Sequence, residues 1–510
     1  MGKKAAILLL AICFALGALP VQAAEKAERQ WQDETIYFLM VDRFSNGDAN
    51  NDFNANPDDP KAYHGGDFKG IIDKLDYIKN MGFTAIWLTP VFDNEDGGYH
   101  GYWINDFYKT DEHFGTISEF KKLVEEAHKR DIKIILDFVV NHVGPSHPWQ
   151  NDPDKAGWFH VKKPIVNWES QEELENNWLY DLPDFNQDNP AVKNYLLDAA
   201  KWWITETGID GYRLDTVRHV PVSFWEEFSK EVKAQKEDFY LIGEVWTDDP
   251  NYIAQYDKAG IDGFVDFPLH EQLREAFAKP DQTLDWLFST AARNKVLYED
   301  PFLMGTFIDN HDMVRFTREA LLAKEDPVSR WKLALTYMYT APGIPIIYYG
   351  SEIALDGTND PDNRREMDFT VENGLIDYIS RLGELRKERV SLTRGTLEKL
   401  HEKDGMAIFK RQYNAETTII AINNTSSDQT VKIPIEKLGE NKSLQGLLDN
   451  QSISSDSDGY SIPVGSGGAE MYSLEEESFN RTPYLIGFAA ILGVGMALLF
   501  IKSRKKQQNV

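Results

Sequence analysis

The chain has 510 residues, of which 42% are hydrophobic, and a formal net charge of −28. That length supports two or three domains around a large core. The charge excludes nucleic acid and other polyanions as partners, and a single cysteine, Cys13, excludes a disulfide framework.

Lys3 and Lys4 precede an apolar run over residues 5–19, and Val21-Gln22-Ala23 follows Pro20. Residues 1–23 therefore read as a secretory signal with a small-residue cleavage site. Residues 35–44 form an apolar run that predicts a buried strand. A loop dense in Asn and Asp follows over 46–56. Ile71, Ile72, Leu75, Ile78 and Met81 then recur at helical spacing, and Gly82 ends that helix. A strand over 85–91, a helix over 118–130 and a strand over 132–140 continue the alternation. Residues 143–190 break it with six prolines and no periodicity, which predicts an inserted subdomain. Helix 191–207, strand 209–215, helix 222–235 and strand 239–246 come next. Strand 263–267, helix 270–279, strand 304–308, helix 327–340 and strand 344–349 complete the set. Eight strands alternating with helices predict a (β/α)8 TIM barrel, in two parts over 33–142 and 191–390. Residues 391–474 change to short alternating strands, predicting a C-terminal antiparallel β-sandwich. An acidic linker over 475–481 leads to an apolar run over 482–501, long enough to span a bilayer. The basic tail 502–510 places the C-terminus in the cytoplasm and the folded part outside.

Chemistry in such barrels sits at the C-terminal ends of the strands. Polar residues gather there. Strand 3 ends in Asp137-Phe138-Val139-Val140-Asn141-His142, strand 4 in Arg213 and Asp215, strand 5 in Glu244, and strand 7 in Asn310-His311-Asp312. Each acid alone reads as a solvated loop residue. Three on one rim read as the carboxylates of glycoside hydrolysis, one attacking carbon and one protonating the leaving oxygen. Arg213, two residues before Asp215 on one strand face, keeps that carboxylate ionised and suits it to attack. Glu244, among Ile242, Val245 and Trp246, is the carboxyl placed to hold a proton. An aromatic content of 12% suits stacking on sugar faces.

The segments 137–142, 211–219 (Gly-Tyr-Arg-Leu-Asp-Thr-Val-Arg-His), 243–246 (Gly-Glu-Val-Trp) and 307–312 (Phe-Ile-Asp-Asn-His-Asp) resemble the four signature regions of the alpha-amylase family of glycoside hydrolases. The resemblance implies Asp215 as nucleophile, Glu244 as acid/base and Asp312 as the third acid, with retention of anomeric configuration. It implies that His142, Arg213 and His311 surround the sugar being cleaved and that Tyr102 stacks on it. Arg218 and His219 match positions on the leaving-group side, and Asp360 and Arg364 match positions along the glucan on the other side. It also implies a structural Ca2+ held by Asn141, Asp184 and the His219 carbonyl, since hard oxygen ligands suit calcium. Asn46, Asp48, Asn51, Asp52, Gly65 and Asp67 resemble a second calcium site of cyclodextrin-processing relatives. The segment Leu182-Pro183-Asp184-Phe185-Asn186 is similar to the Leu-Pro-Asp-Leu-Asn of true alpha-amylases, and the pair Trp202-Trp203 resembles a secreted branch of bacilli. The expectation is a monomeric, exported, membrane-tethered enzyme. It would cleave α-1,4 bonds of starch and maltooligosaccharides internally. A maltogenic or transglycosylating relative is the alternative enzyme, and a tethered scaffold the alternative without catalysis.

Overall fold

The computed structural model describes residues 28–476, 493–495 and 497. The expected signal segment 1–23 lies outside the described residues, as do nearly all of the expected spanning segment 482–501 and the tail 502–510. Among the described residues, no helix is long and apolar enough to cross a membrane.

Eight parallel strands form the barrel: β1 (Ile36–Leu39), β2 (Ala85–Leu88), β3 (Lys133–Phe138), β4 (Gly211–Leu214), β5 (Tyr240–Gly243), β6 (Gly263–Phe264), β7 (Gly305–Thr306) and β8 (Ile344–Tyr348). Their spatial order runs β6-β5-β4-β3-β2-β1-β8-β7. A parallel bridge between Val265 and Gly305 joins the two ends, so the sheet closes. Both faces of each strand are covered, which is why they read as continuous apolar runs. Helices α1 (Phe68–Asn80), α2 (Ile117–Lys129), α3 (Pro190–Thr207) and α4 (Val222–Lys233) pack outside strands β1 to β5. Their ends follow from capping chemistry. Asp67 and Thr116 accept from the amides of Gly70 and Glu119 at the starts of α1 and α2. Gly208 ends α3 in the left-handed region at φ 74°.

The structure differs from the sequence expectation in several places. The run 35–44 is a strand only to Leu39, and Val41–Phe44 then turn as a helix whose side chains stay buried. A hairpin of Phe92–Asn94 and Ile104–Thr110 stands between β2 and α2. Helices Pro250–Asp257, Asp285–Leu297 and Leu375–Glu388 occupy stretches for which no helix was expected.

Within 143–190, single bridges join Phe159 to Phe185 and Pro164 to Trp178, and a third, His142 to Asp184, ties the insert to the end of β3. One short helix, Gln171–Asn176, packs against the turn Val217–His219. After the barrel, β9 (Thr396–Lys403), β10 (Met406–Tyr413) and β11 (Glu416–Asn423) form an antiparallel sheet with three later strands, and Gln429–Pro434 pairs with Gly459–Val464 as a second layer. Strand alternation divides the core. Phe409, Ile420 and Ile422 join the barrel's core, while Ile408, Ile419 and Ala421 pack on Tyr460 and Ile462 inside the sandwich.

Candidate active site

The strand ends converge on a cleft of ≈ 910 Å³ at the barrel mouth. Asp215, Glu244 and Asp312 line it, together with Tyr102, His142, Arg218, His219, His311, Asp360 and Arg364. Arg213 does not line it. It lies buried beneath the cleft floor, where Nη1 meets Asp137 Oδ1 at 2.9 Å and Asp215 Oδ1 at 2.6 Å, and Nη2 meets Glu244 Oε1 at 2.6 Å. One rigid guanidinium therefore orients all three carboxylates, which a lysine could not do.

Asp215 also accepts from the Thr216 hydroxyl at 3.0 Å, and the Thr216 amide donates to Glu244 Oε2 at 3.1 Å. Thr216 achieves both with φ 45°, an uncommon backbone for a β-branched residue. Burial pushes the Glu244 carboxyl up to about 8, against the pull of Arg213 and with the help of Asp215 and Asp312. Asp312 moves the other way. Its burial is outweighed by His311, Arg364 and Arg213, which lower it below the usual range. Arg364 Nη2 meets Asp312 Oδ1 at 3.0 Å, and Nη1 reaches Asp360 Oδ1 at 3.0 Å. Two carboxyls in one cleft thus have opposite proton affinities, the pattern of an acid beside fixed anions.

Tyr102 stacks on His311 with ring centres 5.2 Å apart and planes 6° apart. Its hydroxyl donates to Asp137 Oδ2 at 2.8 Å. Gly101 sets its position at φ +92°, where an added Cβ would stand 2.2 Å from the Pro90 carbonyl oxygen. Burial lowers both His142 and His311, the latter to about 4, so both rings are neutral at neutral pH. Burial and then Arg218 lower His219 to about 4.

The sequence reading gave no role to Asp137, although it lies inside the first signature segment. Burial raises it to about 7 against Arg213, and Trp87 Nε1 donates to its Oδ2 at 3.3 Å. Thr216, and the rings of Trp168, Tyr180 and Trp246 on the cleft rim, were also missed. No periodic signal marks the rim rings, because they meet only in the folded chain. Trp203 is buried and donates to the Phe107 carbonyl at 2.7 Å, while Trp202 packs edge-on against Tyr108. The tryptophan pair is core packing.

The proposed calcium ligands fall into two groups. The Asn141 amide oxygen lies 3.0 Å from Asp184 Oδ1 and 2.9 Å from the His219 carbonyl oxygen. Turning the amide so that its nitrogen donates satisfies both of those oxygens, and in the orientation that presents its oxygen the three groups form a hard oxygen donor set of the kind a divalent ion takes. Asp184 is buried, which raises it to about 7, and His160 Nδ1 holds its other oxygen at 2.6 Å. The N-terminal loop is more mixed. Asn46 Nδ2 donates to both oxygens of Asp52 at 2.9 Å, and an added Cβ at Gly65 would stand 2.5 Å from Asp52 Oδ1. Asp48 Oδ1 accepts from the Asn50 amide at 3.1 Å. Asp67 Oδ1 accepts from the Gly70 amide as the cap of α1, and its Oδ2 accepts from the loop amides of Gly47 and Asp48. Asn51 Oδ1 is buried without a partner among the described residues, which leaves one oxygen suited to a cation.

The alpha-amylase catalytic-domain family matches residues 38–382, and the alpha-amylase C-terminal domain family matches 395–472. The chain belongs to the alpha-amylase family. It is 60% identical to an alpha-amylase from Anoxybacillus of known structure, over 88% of this chain and 100% of that one, with a TM-score of 0.87. It is 58% identical to an alpha-amylase from Geobacillus thermoleovorans, solved with acarbose, over 88% and 100% of the two chains at a TM-score of 0.86. Among curated relatives, it is 39% identical to the beta/alpha-amylase of Paenibacillus polymyxa over 83% of this chain, and spans 36% of that protein's length. It is 30% identical to alpha-amylase 2 of Schwanniomyces occidentalis, over 88% of this chain and 92% of the relative. As a member of this family, the chain is a glycoside hydrolase of α-glucans.

Proposed function

We propose that this alpha-amylase family member cleaves internal α-1,4 bonds of starch and maltooligosaccharides with retention. The observation that carries the reading is the single Arg213 guanidinium joining Asp215 to Glu244, consistent with the short carboxyl separation of ~5–5.5 Å that retention requires. An Asp215 oxygen attacks the anomeric carbon as the bond to the leaving oxygen breaks. Glu244 gives its proton to that oxygen. Water then attacks the glycosyl ester, Glu244 takes the water's proton, and Asp215 leaves as carboxylate. Asp312, held ionised, accepts from sugar hydroxyls and stabilises the positive charge that develops at the anomeric carbon.

Asn141, Asp184 and the His219 carbonyl would hold a Ca2+. When bound, the ion supplies positive charge that ties the insert to the loop carrying Asp215. The N-terminal loop, with Asn46, Asp48, Asn51, Asp52, Gly65 and Asp67, would hold a second one. Residues 1–23 would direct export, and residues 482–501 would tether a monomer with its catalytic part outside the cell. The exposed rings of Trp168, Tyr180 and Trp246 favour a second reading, in which a sugar replaces water as the acceptor.

The test is release of reducing ends from soluble starch by purified protein. Release that disappears with Asp215→Asn supports hydrolysis, and no release by the unaltered chain refutes it. Products from maltoheptaose separate hydrolysis from transfer.

A further inference from the structure

Two indoles stand out on the cleft rim. Trp168 of the insert is 44% exposed, and Trp246, two residues after Glu244, is 47% exposed. Trp246 rests flat on Phe267, with ring centres 5.3 Å apart. Open indole faces in a cleft that accepts sugar are stacking platforms, and their mutual spacing decides what fits between them.

A single side chain links their backbones. Arg218 Nη1 donates to the Trp246 carbonyl at 2.6 Å, and Nη2 donates to the Trp168 carbonyl at 3.0 Å. Gln171 of the insert donates back to the Arg218 carbonyl at 3.2 Å. The hydroxyl of Tyr252 donates to Gln171 Oε1, and the Tyr252 ring lies 5.3 Å from the guanidinium. Arg218 sits in the turn Val217–His219, three residues after Asp215. Its terminal nitrogens therefore join the insert and the β5 loop to the loop that carries Asp215. The planar fork matters, because an ammonium is one point charge with no fixed pair of donors.

We propose that Arg218 is a positioning residue which clamps the insert to the β5 loop, sets the gap between Trp168 and Trp246, and governs acceptor-side glucan binding through those indoles. This rests on the hydrolase reading above. The expectation from the resemblance was direct contact between Arg218 and glucan, and the two roles have different consequences.

The test is a mutant cycle on the full folded chain with maltoheptaose. Arg218→Lys raises KM by roughly 10-fold, as expected when a binding surface shifts, with a smaller change in kcat. Trp168→Ala also raises KM. If Arg218 acts through the two indoles, adding Arg218→Lys to a chain that already carries Trp168→Ala and Trp246→Ala costs little more than those two alone, because coupled residues do not add. Additive losses overturn the clamp. Hydrogen exchange of the ligand-free protein is the second readout. Arg218→Lys speeds exchange over residues 163–180, whereas a residue that only touches sugar leaves it unchanged, and unchanged exchange overturns the clamp. If the lysine variant does not fold, Gln171→Ala takes its place in the exchange measurement with the same two outcomes. An unaltered chain that releases no reducing ends refutes the hydrolase reading; an active chain with additive losses refutes only the clamp.

Discussion

Replacing Glu244 with Gln removes the transferable proton while keeping the shape of the side chain. Burial holds this carboxyl at about 8 rather than its ordinary 4.5, with Arg213 pulling it down and Asp215 and Asp312 pushing it up. At about 1.4 kcal/mol per tenfold, that difference is on the order of 5 kcal/mol. The sign follows from proton binding. Between 4.5 and about 8 the folded state holds a proton that the unfolded chain has released. Stability from this group is therefore complete below 4.5 and lost as pH rises through about 8. The Gln variant has no such dependence. Its melting temperature should match the unaltered protein in acid and exceed it in alkali, read by calorimetry across the pH range. In turnover, losing the acid should lower kcat on maltoheptaose by ~10²–10⁴-fold. The loss on α-maltotriosyl fluoride should be far smaller, because fluoride departs without a proton. An equal loss on both substrates, together with a melting difference that does not change with pH, would refute the assignment of Glu244 as the acid.

Gly101→Ala places a Cβ 2.2 Å from the Pro90 carbonyl oxygen at φ +92°, so it should cost about 1–3 kcal/mol in strain and move Tyr102 off His311. Calorimetry and kcat/KM should fall together. Chelation should lower both the melting temperature and the turnover, because in the proposed site one ion would join Asp184 to the His219 carbonyl on the loop carrying Asp215. Asp184→Asn should reduce the response of both to added calcium. Asp52→Asn should lower only the melting temperature in calcium, and it is a cleaner probe than Asp67, whose loss also uncaps α1. Activity that stays complete in chelator would contradict the shared-ion account.

The barrel was legible because strands covered on both faces leave apolar runs bounded by turns. The same property hid the end of β1. Val41 and Phe44 remain buried in their helical turn, so hydrophobicity alone carried the expected strand five residues too far. The hairpin at 92–110 was hidden by its partial burial, which breaks strict alternation. Asp215 and Glu244 were legible because each directly follows its strand in sequence, and Asp312 because it closes the polar run six residues beyond β7. Arg213 was legible as the partner of Asp215 but not as the hub of Asp137 and Glu244, because those pairings cross between strands. Thr216 could not be found, since its left-handed backbone is imposed by the contacts it makes on both sides. The rim indoles belong to segments 78 residues apart, Trp168 and Trp246, and the Arg218 fork joins their backbones across that distance.

In the proposed reaction Asp215 forms a covalent bond to sugar. The direct measurement is mass spectrometry of the Glu244→Gln variant after brief exposure to α-maltotriosyl fluoride, followed by digestion. A maltotriosyl adduct should appear on the peptide containing Asp215 and be absent when Asp215→Asn is added. An adduct on another peptide, or product formed with inverted configuration and no adduct, would contradict it.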